Sequence, residues 1–293
     1  MLDAADVARI THQTRLLVIG SINIDIVADV ERLPAAGETV GGGRLRRSPG
    51  GKGANQAAAA ARLGAATVMI GAVGDDADGR EMREALRQAG VDVSAVGTSV
   101  EPTGTALIAV DAAGENQIVV CAGANETLTV TDEAVAAASV ILTQLEIPLA
   151  VIDRLASEAT GYLAINAAPA RALSEAAIAR ADLVIVNDSE YAALPALATA
   201  QRVVVTHGAG GASLLERGTE IARVPAERVT PVDTVGAGDA FCAAVTIALA
   251  GGLDAHVALT LACAVGADAV RVRGARPEFA RLESYAERVS AAV

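Results

Sequence analysis

Two acids, Asp233 and Asp239, bracket the small-residue turn Thr234-Val235-Gly236-Ala237-Gly238. The run that follows, Ala240 to Ala250, is apolar and free of Pro, so the turn is expected to open a helix. A glycine-rich turn at a helix N-terminus aims unpaired backbone N–H groups, and the positive end of the helix dipole, at whatever lies above it. The N–H groups of Gly236, Ala237 and Gly238 would then form an anion hole. A carboxylate is a poor phosphate ligand there, but Asp239 makes chemical sense as a group that takes a proton. On these residues alone the alternative is that Asp239 only caps the helix.

A second constellation is Ser48-Pro49-Gly50-Gly51-Lys52-Gly53-Ala54-Asn55-Gln56, followed by an Ala-rich helix over 57–63. Glycines let the backbone approach a ligand closely, Lys52 supplies charge, and Asn55 falls in the first helical turn. Lys52 is the only lysine in the chain. The spacing is neither a Walker A loop nor G-x-G-x-x-G. A third group closes the strand-like run Leu16 to Gly20, where Ser21-Ile22-Asn23-Ile24-Asp25 brings Asn23 and Asp25 to one side of an extended chain. Two such side chains suit the hydroxyls of a polyol; the alternative is a local Asx turn.

Elements able to position these groups recur down the chain. Strand-like runs over 67–73, 139–145, 163–165, 182–186 and 202–205 alternate with helical stretches, and polar residues appear where each strand ends. Glu146, Asn166, Asn187 with Glu190, and Thr206 with His207 are such residues. That recurrence predicts a doubly wound, mostly parallel α/β sheet flanked by helices, with ligands at one edge. Pro148 reads as the first residue of a helix. Two segments, about 24–46 and 103–121, lack a helical period, and the second reads as a hairpin turning at Ala112-Ala113-Gly114. Together they predict a small β-sheet lid on a single domain spanning 1–293.

Composition bounds the function. At 293 residues and 52% hydrophobic content the chain can bury a large core. Three Tyr, two Phe and no Trp leave no aromatic platforms for bases or sugars. A net charge of −12 argues against nucleic acid and acidic membrane surfaces as partners, while a small phosphate ligand needs only a local anion hole. Cys121, Cys242 and Cys263 lie apart, as reduced thiols of a cytoplasmic protein would. His12, His207 and His256 are too scattered to form a metal signature. Met1 to Arg15 has no apolar leader core, so no signal peptide is expected.

The loop Gly50-Gly51-Lys52-Gly53-Ala54-Asn55 and the distal Asp233-Thr234-Val235-Gly236-Ala237-Gly238-Asp239 resemble the two signatures of the ribokinase-like (PfkB-type) sugar kinases, in order and separation. The resemblance runs from Gly20 to about Pro277. It implies a ribokinase-like fold and ATP-dependent phosphorylation of a sugar hydroxymethyl. Gly20 to Asp25, Gln144-Leu145-Glu146 and Asn166 to Ala170 are similar to motifs that point to D-ribose, with deoxyribose, another pentose or a nucleoside as alternatives. A catalytically silent sugar-binding regulator is the alternative from another class.

The resemblance also implies roles. Asn23, Asp25, Gly51, Lys52, Asn55 and Glu146 would hold the sugar, Asp239 would be the base, and Gly236, Ala237 and Gly238 would form the anion hole. Asn187 and Glu190 would lie near the phosphates and Mg²⁺, Thr206, Gly208 and Gly211 in the nucleotide loop, and Cys263 near adenine. Asp233 with Val235, Ala269, Val272 and Gly274 would surround a K⁺ ion. Glu278 stands at the last ligand position, where a serine is common in relatives. The connection from Glu190 to Arg202 is shorter than in many relatives, and the lid implies a homodimer.

Overall fold

The computed structural model describes residues 3–291 except 273 and 276; the ends of the expected domain, residues 1, 2, 292 and 293, lie outside the described residues. In chain order the elements are α1 (Ala4–Gln13), β1 (Arg15–Ile19), β2 (Asn23–Asp29), β3 (Arg44–Gly50), α2 (Lys52–Leu63), β4 (Ala66–Gly74), α3 (Ala77–Gln88) and β5 (Val96–Ser99). Next come β6 (Gly104–Val110), β7 (Asn116–Cys121), α4 (Asp132–Ala136), β8 (Val140–Gln144), α5 (Leu149–Glu158), β9 (Tyr162–Asn166), α6 (Glu175–Arg180) and β10 (Leu183–Asn187). The remainder is α7 (Asp188–Ala193), β11 (Arg202–Thr206), β12 (Ala212–Glu216), β13 (Thr219–Val224), α8 (Ala237–Ala250), α9 (Ala255–Ala269) and α10 (Leu282–Ala291).

The main sheet runs β13-β12-β11-β10-β9-β8-β1-β4-β5, parallel from β11 to β5, with β12 and β13 added antiparallel. Strand alternation sends side chains to two cores. Leu16 and Val18 join a cluster with helices α2, α8 and α9, whereas Leu17 and Ile19 join one with α5 and α6. Both faces are covered, which is why the parallel strands read as unbroken apolar runs. Helix α8 is apolar on all sides because residues Ala240 to Leu249 are buried throughout.

From β1 the chain steps one way to β4 and β5, and later the other way through β8 to β11. The order therefore reverses between β1 and β8, and a crevice opens beyond their C-terminal ends. The small sheet, ordered β3-β2-β6-β7, grows from that point through Gly20-Ser21-Ile22. The predicted hairpin is β6–β7, closed by the Asp111 carboxylate, which accepts the N–H groups of Ala113 and Glu115 at 2.9 and 3.0 Å.

Three boundaries differ from the sequence expectation. Helix α2 begins at Lys52 instead of Ala57, since Gly53 packs so tightly that a Cβ there would sit 2.7 Å from Gly20 and Ser21 backbone. Strand β3 starts at Arg44 and runs to Gly50, past the expected lid end at Arg46; β3 is an edge strand, where Pro49 is tolerated. Pro148 is the cap of α5, not its first residue.

Candidate active site

Asp239 stands in the first turn of α8, behind Gly236 at φ +78°. Its carboxylate does not cap that helix. Oδ2 accepts from Asn55 Nδ2 at 3.1 Å and Oδ1 from Gln56 Nε2 at 3.0 Å, both on α2. Burial pushes the Asp239 carboxyl up, against the pull of Lys52 and the two amides. Burial pushes the Lys52 ammonium down, but Asp239, Glu146 and Glu190 together outweigh it and leave the ammonium above its ordinary value. Asp239 and Lys52 both face one cleft.

That cleft encloses about 160 Å³ and is lined by Lys52, Asn166, Asn187, Glu190, Thr206, Gly236, Gly238 and Asp239, among others. It is small beside the roughly 300–1,000 Å³ typical of whole-ligand pockets. A Cβ added at Gly238 would meet nothing within 4 Å. At Gly236 it would sit 2.3 Å from the carbonyl oxygen of Ala275. One glycine therefore opens the cleft and the other shapes the turn.

On one side of the cleft lies the sheet's switch point. Glu146, just past β8, accepts the Ser21 hydroxyl at 2.6 Å and the Lys52 N–H at 3.1 Å. Arg171 holds that corner by donating to the carbonyls of Leu145 and Ile147 at 2.9 and 3.0 Å. Asn23 is 2% exposed and its Oδ1 accepts from Asn125 Nδ2 at 2.7 Å, a long-range bond and not a local Asx turn. The Asp25 carboxylate lies against Gly50, where a Cβ would come within 2.0 Å of Oδ1. Gly51, at φ +86°, caps α2.

On the other side, β10 and β11 deliver Asn187 and Thr206. Asn187 and Glu190 form a capping box: Asn187 Oδ1 accepts the Glu190 N–H and Glu190 Oε2 accepts the Asn187 N–H, each at 2.8 Å. Gly208 and Gly211 follow Thr206 with φ +55° and +99°. His207 bridges Asp188, at 2.7 Å from Nδ1, and Ser213, at 3.0 Å from Nε2. Gly208, Gly211 and Cys263 do not line the cleft, and Cys263 is half-buried on α9. The short connection after Glu190 holds α7 and one 3₁₀ turn, Pro195–Thr199.

A family model for pfkB family carbohydrate kinases matches residues 13–280. The chain belongs to that family. As a pfkB-family member it is a kinase that transfers a phosphoryl group to a sugar hydroxyl. A ribokinase of Bacillus subtilis (strain 168) is 38% identical over 265 residues, covering 84% of this chain and 89% of the relative. One from Arabidopsis thaliana is 31% identical over 301 residues, covering 92% and 79%. Among solved structures, Arabidopsis thaliana ribokinase complexed with ribose and ATP superposes with TM-score 0.84 at 30% identity, covering 94% of this chain and 98% of that one. A ribokinase from Thermotoga maritima gives 0.83 at 26% identity, covering 95% and 99%.

The residues can be tested against the ions that pfkB-type chemistry implies. Glu190 on the cleft wall suits Mg²⁺, which takes one or two carboxylates and leaves the rest of its shell to phosphate and water. For K⁺, the Asp233 carboxylate accepts the N–H groups of Val235 and Gly274, each at 3.0 Å, and so joins the two carbonyl-bearing loops. The Ala269 carbonyl, one of the expected ligands, accepts the Val272 N–H at 3.4 Å. Glu278 does not join them: its side chain is exposed and its charge acts on Arg62.

Sequence reasoning assigned no role to Gln56, Gln144, Ser21 or Asn125. All four hydrogen-bond to groups of this site from distant elements. Gln56 next to Asn55, Ser21 in the cluster Ser21 to Asp25, and Gln144 in Gln144-Leu145-Glu146 stood inside or beside the sequence motifs; Asn125 did not.

Proposed function

We propose that the chain is an ATP-dependent kinase that phosphorylates the 5-hydroxyl of D-ribose, giving D-ribose 5-phosphate and ADP. The observation that carries this reading is the position of Asp239, partly buried between the hydroxyl-binding corner and the nucleotide side of one cleft. The similarity to a ribokinase complexed with ribose and ATP supports the two ligands.

Asn23, Asp25, Gly51, Lys52, Asn55 and Glu146 hold the sugar. Asp239 takes the hydroxyl proton as that oxygen attacks the γ-phosphorus, and ADP departs. The N–H groups of Gly236, Ala237 and Gly238 take up charge on the transferring group. Asn187, Glu190, Thr206, Gly208 and Gly211 hold the nucleotide, with Cys263 beside adenine. Glu190 would hold Mg²⁺, which would neutralise phosphate charge. Asp233 and the carbonyls of Val235, Ala269, Val272 and Gly274 would hold K⁺, whose charge would tune the field of the turn. The protein works in the cytoplasm as a homodimer joined through its lid.

A coupled assay of ADP release over ribose, 2-deoxyribose, other pentoses, hexoses and nucleosides, with and without K⁺, tests this. Ribose is expected to lead, because the Asp25 carboxylate suits a vicinal diol; a clear preference for 2-deoxyribose would overturn the substrate. Asp239→Asn should bind ribose and lose nearly all turnover. Near-normal turnover would remove Asp239 as the base. Sugar-dependent ADP formation by the wild type excludes a silent regulator.

A further inference from the structure

Asp239 ends a buried chain of primary amides. Gln144 Nε2 donates to Gln56 Oε1 at 2.7 Å, and Gln56 Nε2 donates at 3.0 Å to both Asp239 Oδ1 and Asn166 Oδ1. Asn166 Nδ2 in turn donates to the carbonyl of Ile185 at 3.0 Å. Gln56 and Gln144 are 0% exposed and Asn166 is 6% exposed.

A primary amide has a donating and an accepting end, so such a chain has a direction. Because Gln56 Oε1 is occupied by Gln144, its NH₂ must face the carboxylate, and both of its hydrogens are used. A reversed Gln56 would aim a carbonyl at Asp239 and set two NH₂ groups against each other. The missing side chain of Gly20 leaves the space that Gln144 Oε1 fills, since a Cβ there would sit 1.9 Å from it. No helix N–H accompanies these bonds, so α2 and the strand ends aim the base.

We propose that Gln56, oriented by Gln144 and Asn166, is a positioning residue that holds Asp239 ionised and turned toward the acceptor hydroxyl. This rests on Asp239 being the base. Donation to a carboxylate favours its charged form, which opposes the upward push of burial on Asp239. The other charged or titratable groups acting on it are Lys52 of α2, Glu146 beyond β8 and Cys242 of α8, while Glu190 of α7 lines the same cleft and acts on Lys52. None replaces the lost donor, so without Gln56 the acidic limb of the pH profile moves to higher pH.

The test compares wild type, Gln56→Met, Gln144→Met and Asp239→Asn for melting temperature, ribose Kd by calorimetry, kcat, and kcat/KM against pH. For Gln56→Met the expected result is an unchanged ribose Kd, a kcat lower by about tenfold or more, and an acidic limb displaced upward. Gln144→Met should move both in the same direction by less. An unchanged limb and kcat in Gln56→Met, with Asp239→Asn inactive, would overturn the proposal and leave the base in place. Near-normal turnover of Asp239→Asn would instead remove the base itself. Should Gln56→Met not fold, Gln144→Met decides alone, and an unchanged profile there overturns the proposal.

Discussion

Gly236 and Gly238, two positions apart, make opposite demands on the turn. Gly236 has φ +78° and its missing Cβ would collide with Ala275, so Gly236→Ala should cost about 1–3 kcal/mol in denaturant unfolding. Gly238 lies inside α8 with open space over it, and Ala is the better helix former. Gly238→Ala should therefore melt no lower than wild type, while its methyl enters the cleft and lowers kcat/KM for ATP by about tenfold or more. Equal stability losses in both variants would contradict this division. The sequence made the turn, its anion hole and the special position of Asp239 legible, because those are local patterns of residue type. It did not make Gln56 legible as a partner of Asp239, nor Gln144 and Asn166 as partners of Gln56, because bonds between separate elements leave no spacing to read.

Among the elements, α3 does more than pack. Its cap Asp76 accepts the Gly79 N–H at 2.7 Å, and also the N–H and hydroxyl of Thr103 at 2.8 and 2.6 Å. Thr103 directly precedes β6, so one helix cap pins the root of the small sheet, and Arg47 of β3 pairs with Asp78, two residues further on. Burial raises the Asp76 carboxyl, but its bonds to Thr103 and Gly79 prevail and hold it below its ordinary value. Its stabilising effect is thus present at neutral pH and fades as pH falls through that lowered value. Asp76→Ala should destabilise by about 1–2 kcal/mol from the lost cap. It should also raise KM for ribose more than it lowers kcat, measured in the same coupled assay; an unchanged KM would show that the lid root is held elsewhere. The lid hairpin was readable from strict alternation around Gly114. The start of α2 was not, because close packing of Gly53 against Gly20 overrides the poor helix propensity of a Gly- and Asn-containing turn.

For the molecule as a whole, the lid presents apolar residues on both faces. Register puts Ala106, Ile108, Ile118 and Val120 on the Asp25 face, where they can wall the sugar that lacks aromatic partners here. The opposite face carries Leu45, Leu107 and Val119, which are 70%, 46% and 61% exposed. A sugar bound against the Asp25 face would cover only that face. β7 is an edge strand, exposed along its whole length, and unprotected apolar edges invite a partner. A second copy of the chain would satisfy both surfaces at once by an isologous contact, which is the commonest oligomer symmetry. Light scattering should therefore give a mass of twice 29.3 kDa at micromolar protein. Val119→Glu should shift that mass toward the monomer without lowering the melting temperature of the main sheet, since the side chain touches no core cluster. A wild-type monomer under these conditions would refute the dimer and leave the outer lid face as exposed apolar surface.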